Sequence, residues 1–133
     1  MINKLIVNLI AVEAFANDIH YTCHGESFYA KHIFVDEIKF SEELDALKEV
    51  CLLGNDTRPL TNKEYFRNTI EILPQVSEND DKRNFKVLQG LIKNTLELIE
   101  SFIESERTGS QNLIGGIAEK LQKFYGLLNL QVE

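Results

Sequence analysis

The sequence predicts an all-α fold: four long helices, with one short extra helix in the long connection between the second and the third. Three observations predict it. Only two prolines occur in 133 residues, Pro59 and Pro74, and both fall in one region. Elsewhere apolar residues recur at three- and four-residue spacing over long segments, the pattern of a helix with one buried face. No segment alternates apolar and polar residues with the period of a strand. A chain of this length is expected to form one domain over 1-133, with a single core.

The first helix is expected from about Asn3 to Cys23, with Leu5, Leu9, Val12, Ala16 and Ile19 on one stripe. His24-Gly25 follows as a stop, because glycine accepts the left-handed conformation that ends many helices. A second helix reopens at Glu26 or Ser27 and runs to about Leu53, with Ile33, Phe40, Leu44, Leu47 and Cys51 inward and Gly54-Asn55 at its end. The connection from Gly54 to Asp80 holds the short helix. Thr61 and Glu64 fit a capping box, in which each side chain satisfies a free N–H of the first turn. Tyr65, Phe66 and Ile70 are expected to anchor it, and Pro74 to stop it. The third long helix spans about Asp81 to Glu106, with Phe85, Leu88, Ile92, Leu96, Ile99 and Ile103 buried. Thr108-Gly109-Ser110 reads as a tight turn, and the fourth helix runs from about Gln111 to Asn129 on Leu113, Ile117, Leu121, Phe124 and Leu128. Two short turns and one long middle crossover describe a ferritin-like four-helix bundle.

Composition excludes several functions. The formal charge of −7, with no lysine- or arginine-rich segment, argues against general binding of nucleic-acid backbones. The longest apolar run, LIVNLIAVEAFA, is too short and too polar to span a bilayer, and no signal-peptide pattern follows it. The chain is therefore expected to be intracellular and cytoplasmic. Cys23 and Cys51 belong to no CxxC pair and read as reduced, semi-buried small hydrophobes. Gly115-Gly116 lies inside a helical pattern and is no phosphate loop. No orienting group accompanies Cys23 as a thiol nucleophile.

The chemistry concentrates in IHYTCHGESFYAKHIFVDE, residues 19–37, which holds all three histidines, His20, His24 and His32. His32 and Asp36 are four apart, on one helical face and able to reach one ion. Imidazole with carboxylate suits iron or zinc, whereas carboxylates alone suit magnesium or calcium. The alternative is that these histidines are half-buried hydrogen-bonding groups at a helix hairpin. Residue types alone leave the two readings open.

His20-Tyr21, Gly25-x-x-Phe28 and His32-x-x-x-Asp36 together resemble the first metal half-site of the Dps miniferritins. Leu53-Gly54, Arg58-Pro59 and KEYF (63–66) resemble that family's segment between its second and third helices. GSQNLIGGIAEKLQKFYGLLN resembles its last helix, without the usual acidic and tryptophan positions. The resemblance implies a ferroxidase: Fe(II) oxidised, with peroxide as oxidant, and stored inside a dodecameric homo-oligomeric shell. It implies metal sites at two-fold interfaces, with His20, His32 and Asp36 from one subunit and Asp45 and Glu49 from its partner. Zinc or another divalent metal fits the same ligands. The family's DNA binding uses lysine-rich tails and is not expected here.

One feature departs from the family pattern. Asp45 and Glu49 have the right mutual spacing but lie two residues too close to Asp36. Two residues turn an ideal helix by about 200°, so a regular helix puts Asp45 opposite Asp36 and brings Leu47 and Cys51 to the expected positions. Either a kink in the second helix restores Asp45 and Glu49 to the interface, or the second half-site is lost and the two carboxylates form a surface ion-pairing face with Lys48; a third option is Glu43, seven residues after Asp36 on nearly the same face, as a substitute ligand. The second option makes the chain a ferritin-like structural or interaction protein with an incomplete site.

Overall fold

The computed structural model describes residues 1–22, 35–54 and 58–132. Among them are five α-helices: α1 (Ile2–Thr22), α2 (Ser41–Leu53), α3 (Asn62–Ile72), α4 (Asp81–Phe102) and α5 (Thr108–Val132). No strand occurs among the described residues. The first, third and fourth long helices and the short extra helix of the expected bundle are present, and of the second the part from Ser41 to Leu53. The expectations at Cys23, His24, Gly25, Phe28 and His32, and at Asn55, fall outside the described residues.

α1 is the central element, packed against α2, α3 and α4. Its predicted stripe is buried throughout, and Ile6, Val7, Ala11 and Phe15, off that stripe, are buried as well. α3, from the crossover, also packs against α1. α4 pairs with α5, and α2 touches both α1 and α5. α2 buries only Leu47 and Cys51, so it lies at the margin of the core.

Local caps place these elements. Thr61 and Glu64 form the predicted capping box: the Glu64 N–H donates to Thr61 Oγ1 (3.2 Å) and the Thr61 N–H to Glu64 Oε1 (3.1 Å). Asp80 caps α4 by accepting from the Arg83 N–H at 3.0 Å. The fully buried Asn84 side chain accepts from the Ser77 N–H and donates to the Ser77 carbonyl, both at 2.8 Å, tying the returning crossover to α4.

Three expectations are corrected. Thr108, Gly109 and Ser110 are not a turn but the first residues of α5. The Arg107 carbonyl already accepts from the Gln111 N–H, and Gln111 Nε2 donates to the Ile103 and Glu104 carbonyls at the end of the preceding helix. Those bonds satisfy both helix ends across a shorter connection. Phe66 and Ile70 do not anchor α3; they are 60% and 73% exposed. The buried face of α3 is set instead by Tyr65 and Thr69, four apart, and Tyr65 Oη donates to Asn3 Oδ1 of α1 at 2.6 Å. The third correction concerns the second helix. Residues 35–40 are not α-helical: Val35–Glu37 form one 3-10 turn, 38–40 have no regular structure, and α2 begins at Ser41.

Candidate metal centre

Neither proline nor glycine explains the break before α2. Val35, Ile38 and Phe40 are all buried, and a continuous helix would spread them over a wider arc. The peptide unit between Lys39 and Phe40 has exchanged its helical partners for remote ones. Its N–H donates to Glu13 Oε1 on α1 at 2.7 Å. Its carbonyl accepts from Lys120 Nζ on α5. Lys120 also pairs with Glu43 Oε2 at 2.7 Å and lies 4.7 Å from the centre of the Phe40 ring. Its helical partners lost, this half-sheltered peptide group finds others on two other helices.

The 3-10 turn this break leaves behind carries Asp36 to the last turn of α1, where its Oδ1 meets Nδ1 of His20. The two side chains are 27% and 31% exposed, half sheltered and still reachable from solvent. Tyr21 stands edge-on to the imidazole, with ring centres 4.5 Å apart and planes at 72°. A cleft of about 420 Å³ opens here, lined among others by Glu13, Asn17, His20, Tyr21, Asp36 and Lys39. An imidazole nitrogen beside a carboxylate oxygen is a donor pair that suits iron or zinc.

Of the other expected ligands, only Asp45 and Glu49 lie among the described residues. His32 falls outside the described residues. Asp45 and Glu49 are exposed on α2, on the side away from the buried Leu47 and Cys51. Lys48 between them lies 5.4 Å from the centre of the Tyr65 ring. Glu43, one further carboxylate of α2, is engaged by Lys120. Among the described residues no three His, Cys, Asp or Glu side chains converge as a metal cage. Glu13 and Lys120 are the residues sequence reasoning missed. Glu13, Asn17 and His20 recur at helical spacing on α1, a polar stripe that marks one side of this cleft. For Lys120 no comparable signal exists.

No protein-family model matches the chain, and no curated protein does. Among solved structures, the chain is similar to a DPS protein from Vibrio cholerae O1, described as a member of a broad superfamily of ferritin-like diiron-carboxylate proteins. The superposition has a TM-score of 0.63 at 19% identity and covers 99% of this chain and 86% of the Vibrio protein. The fold is ferritin-like. Five helices in the expected order, with the short one in the crossover, agree with that comparison. No helix among the described residues of this ferritin-like chain is long and apolar enough to cross a membrane.

Proposed function

We propose that this chain is a Dps-like miniferritin that binds and oxidises Fe(II) and stores the product within a homo-oligomeric shell. The observation that carries the reading is the meeting of His20 and Asp36 in the turn before the break, at a cleft of a ferritin-like bundle. His20, Asp36 and, by its sequence position, His32 are the ligands of one half-site. Asp45 and Glu49 are exposed on α2, which leaves them open to complete the site from a second copy. Exposed apolar side chains at Phe66 and Ile70 supply surface for association with further copies. The net charge of −7 favours accumulation of cations near the protein.

The reaction is an electron transfer from substrate iron. Two Fe(II) each give one electron to a peroxide, whose O–O bond breaks to leave two Fe(III) and two hydroxides. The chain's part is to hold Fe(II) at oxygen and nitrogen donors with open positions for the oxidant.

The second reading, a ferritin-like structural protein with an incomplete site, is favoured by Asp45 and Glu49 lying two residues closer to Asp36 than the family pattern places them. The break weakens that objection, because helical register does not carry from Asp36 through 38–40 to Ser41. Peroxide added to Fe(II)-loaded wild type, His20→Ala and His32→Ala protein separates the two. Saturable oxidation in wild type that disappears in both variants supports the ferroxidase. Oxidation at the background rate in all three leaves the structural reading.

A further inference from the structure

We propose that Glu13 and Lys120 are positioning residues of the metal centre: from opposite sides they hold the Lys39–Phe40 peptide unit and thereby set Asp36 against His20. This rests on the Fe(II)-binding reading for its functional consequence, though the clamp itself is a matter of geometry.

In a continuous helix the Phe40 N–H would donate to the Asp36 carbonyl and the Lys39 carbonyl would accept from the Glu43 N–H. Both bonds are replaced. Glu13 on α1 takes the N–H at 2.7 Å, and Lys120 on α5 takes the carbonyl while its charge is balanced by the Glu43 carboxylate. The two residues that impose the break are thus anchored on two different helices of the bundle. Phe40 reinforces them, with its ring fully buried beneath the Lys120 ammonium. Asp36 lies one turn before the clamped peptide, so its place beside His20 follows from where that peptide is held. The same clamp fixes where α2 starts, and hence the direction in which Asp45 and Glu49 point.

Glu13 is not itself a ligand beside His20. Seven residues separate them on α1, about 10 Å along the helix axis, and its Oε1 is already committed to the Phe40 N–H. Its action is indirect, and a neutral acceptor of the same shape should replace it.

The test is Co(II) affinity under anaerobic conditions, paired with hydrogen exchange over residues 35–44, in wild type, Glu13→Gln, Glu13→Ala and Lys120→Met. Tyr65→Phe, which weakens the fold away from the clamp, is the control. Glu13→Ala and Lys120→Met are expected to bind Co(II) about 10- to 100-fold more weakly, the usual cost of losing a group that orients a ligand. Glu13→Gln and Tyr65→Phe should stay within about threefold of wild type, well inside that range. The Phe40 amide should lose protection in Glu13→Ala and keep it in Glu13→Gln. Unchanged affinity in Glu13→Ala and Lys120→Met overturns the proposal. So does a loss in Glu13→Gln as large as in Glu13→Ala, which would make the charge itself the active feature. A loss in Tyr65→Phe equal to that in Glu13→Ala overturns it too, by reducing the effect to general destabilisation. If wild type binds no Co(II), the iron reading fails, and exchange at Phe40 alone decides the clamp: lost protection in Glu13→Ala supports it and unchanged protection overturns it.

Discussion

Replacing Tyr65 by Phe removes one oxygen atom from the contact between the crossover and the body of the bundle. Tyr65 is almost wholly buried. Its hydroxyl donates to Asn3 Oδ1 at 2.6 Å and accepts from the Leu60 N–H at 3.0 Å. Each bond contributes about 0.5–1.5 kcal/mol net, so the pair sets a range of about 1–3 kcal/mol. Asn3 and Leu60 are only partly buried, so water can reach the groups the hydroxyl leaves behind. The Asn3 side chain also keeps its bond to the Arg58 carbonyl at 2.8 Å. The lower half of the range applies: a loss of about 1–2 kcal/mol. Urea unfolding followed by circular dichroism measures it, at one fixed protomer concentration because association changes apparent stability. The slope of free energy against urea should not change, since the ring stays buried and the exposed surface is the same. A loss below about 0.3 kcal/mol at unchanged slope would refute the claim that this hydroxyl pins α3 to α1.

Two further outcomes follow from the same structure. Burial pushes both the Cys51 thiol and the Tyr65 phenol above their ordinary ranges, so as pH rises the unfolded chain gives up these protons before the folded one. The unfolded state then holds fewer protons and stability falls with pH; the decline should begin above about pH 8.5 and become shallower in Cys51→Ala, as read by denaturation midpoints from pH 7 upward. Phe66→Asp, at an exposed position of α3, should leave helix content unchanged and shift the mass seen by light scattering to smaller assemblies; a wild-type monomer would contradict the shell.

The bundle was legible because its core is built from local repeats. Leu5 to Ile19 on α1, and the Thr61–Glu64 box on α3, carry their structural meaning within a few residues of themselves. The break before α2 was not legible, because what causes it is remote in sequence: the Lys39–Phe40 peptide is satisfied by Glu13, 27 residues before Phe40, and by Lys120, 81 residues after Lys39. A stripe counted through Phe40 to Cys51 sees apolar side chains and not backbone partners. The start of α5 was misread for a related reason. Thr108-Gly109-Ser110 has loop composition, but the carbonyls that a turn would leave open are taken by Gln111. On α3, hydrophobicity marks Tyr65, Phe66 and Ile70 alike as anchors, but only Tyr65 is buried, with a polar partner on α1 that the pattern does not show. At the candidate site, the family resemblance implied His20, His32 and Asp36 as ligands, and the side chains of His20 and Asp36 meet. Whether Asp45 and Glu49 complete that site depends on a second copy, which no single-chain pattern encodes.

The central claim is that the His20–Asp36 pair is half of an iron site, and an anaerobic Fe(II) titration of wild type against His20→Ala, followed by calorimetry, tests it most directly. The account predicts a saturable isotherm in wild type that is lost in the variant, with helix content unchanged. Identical isotherms in the two proteins, or none that saturates in wild type, would contradict it.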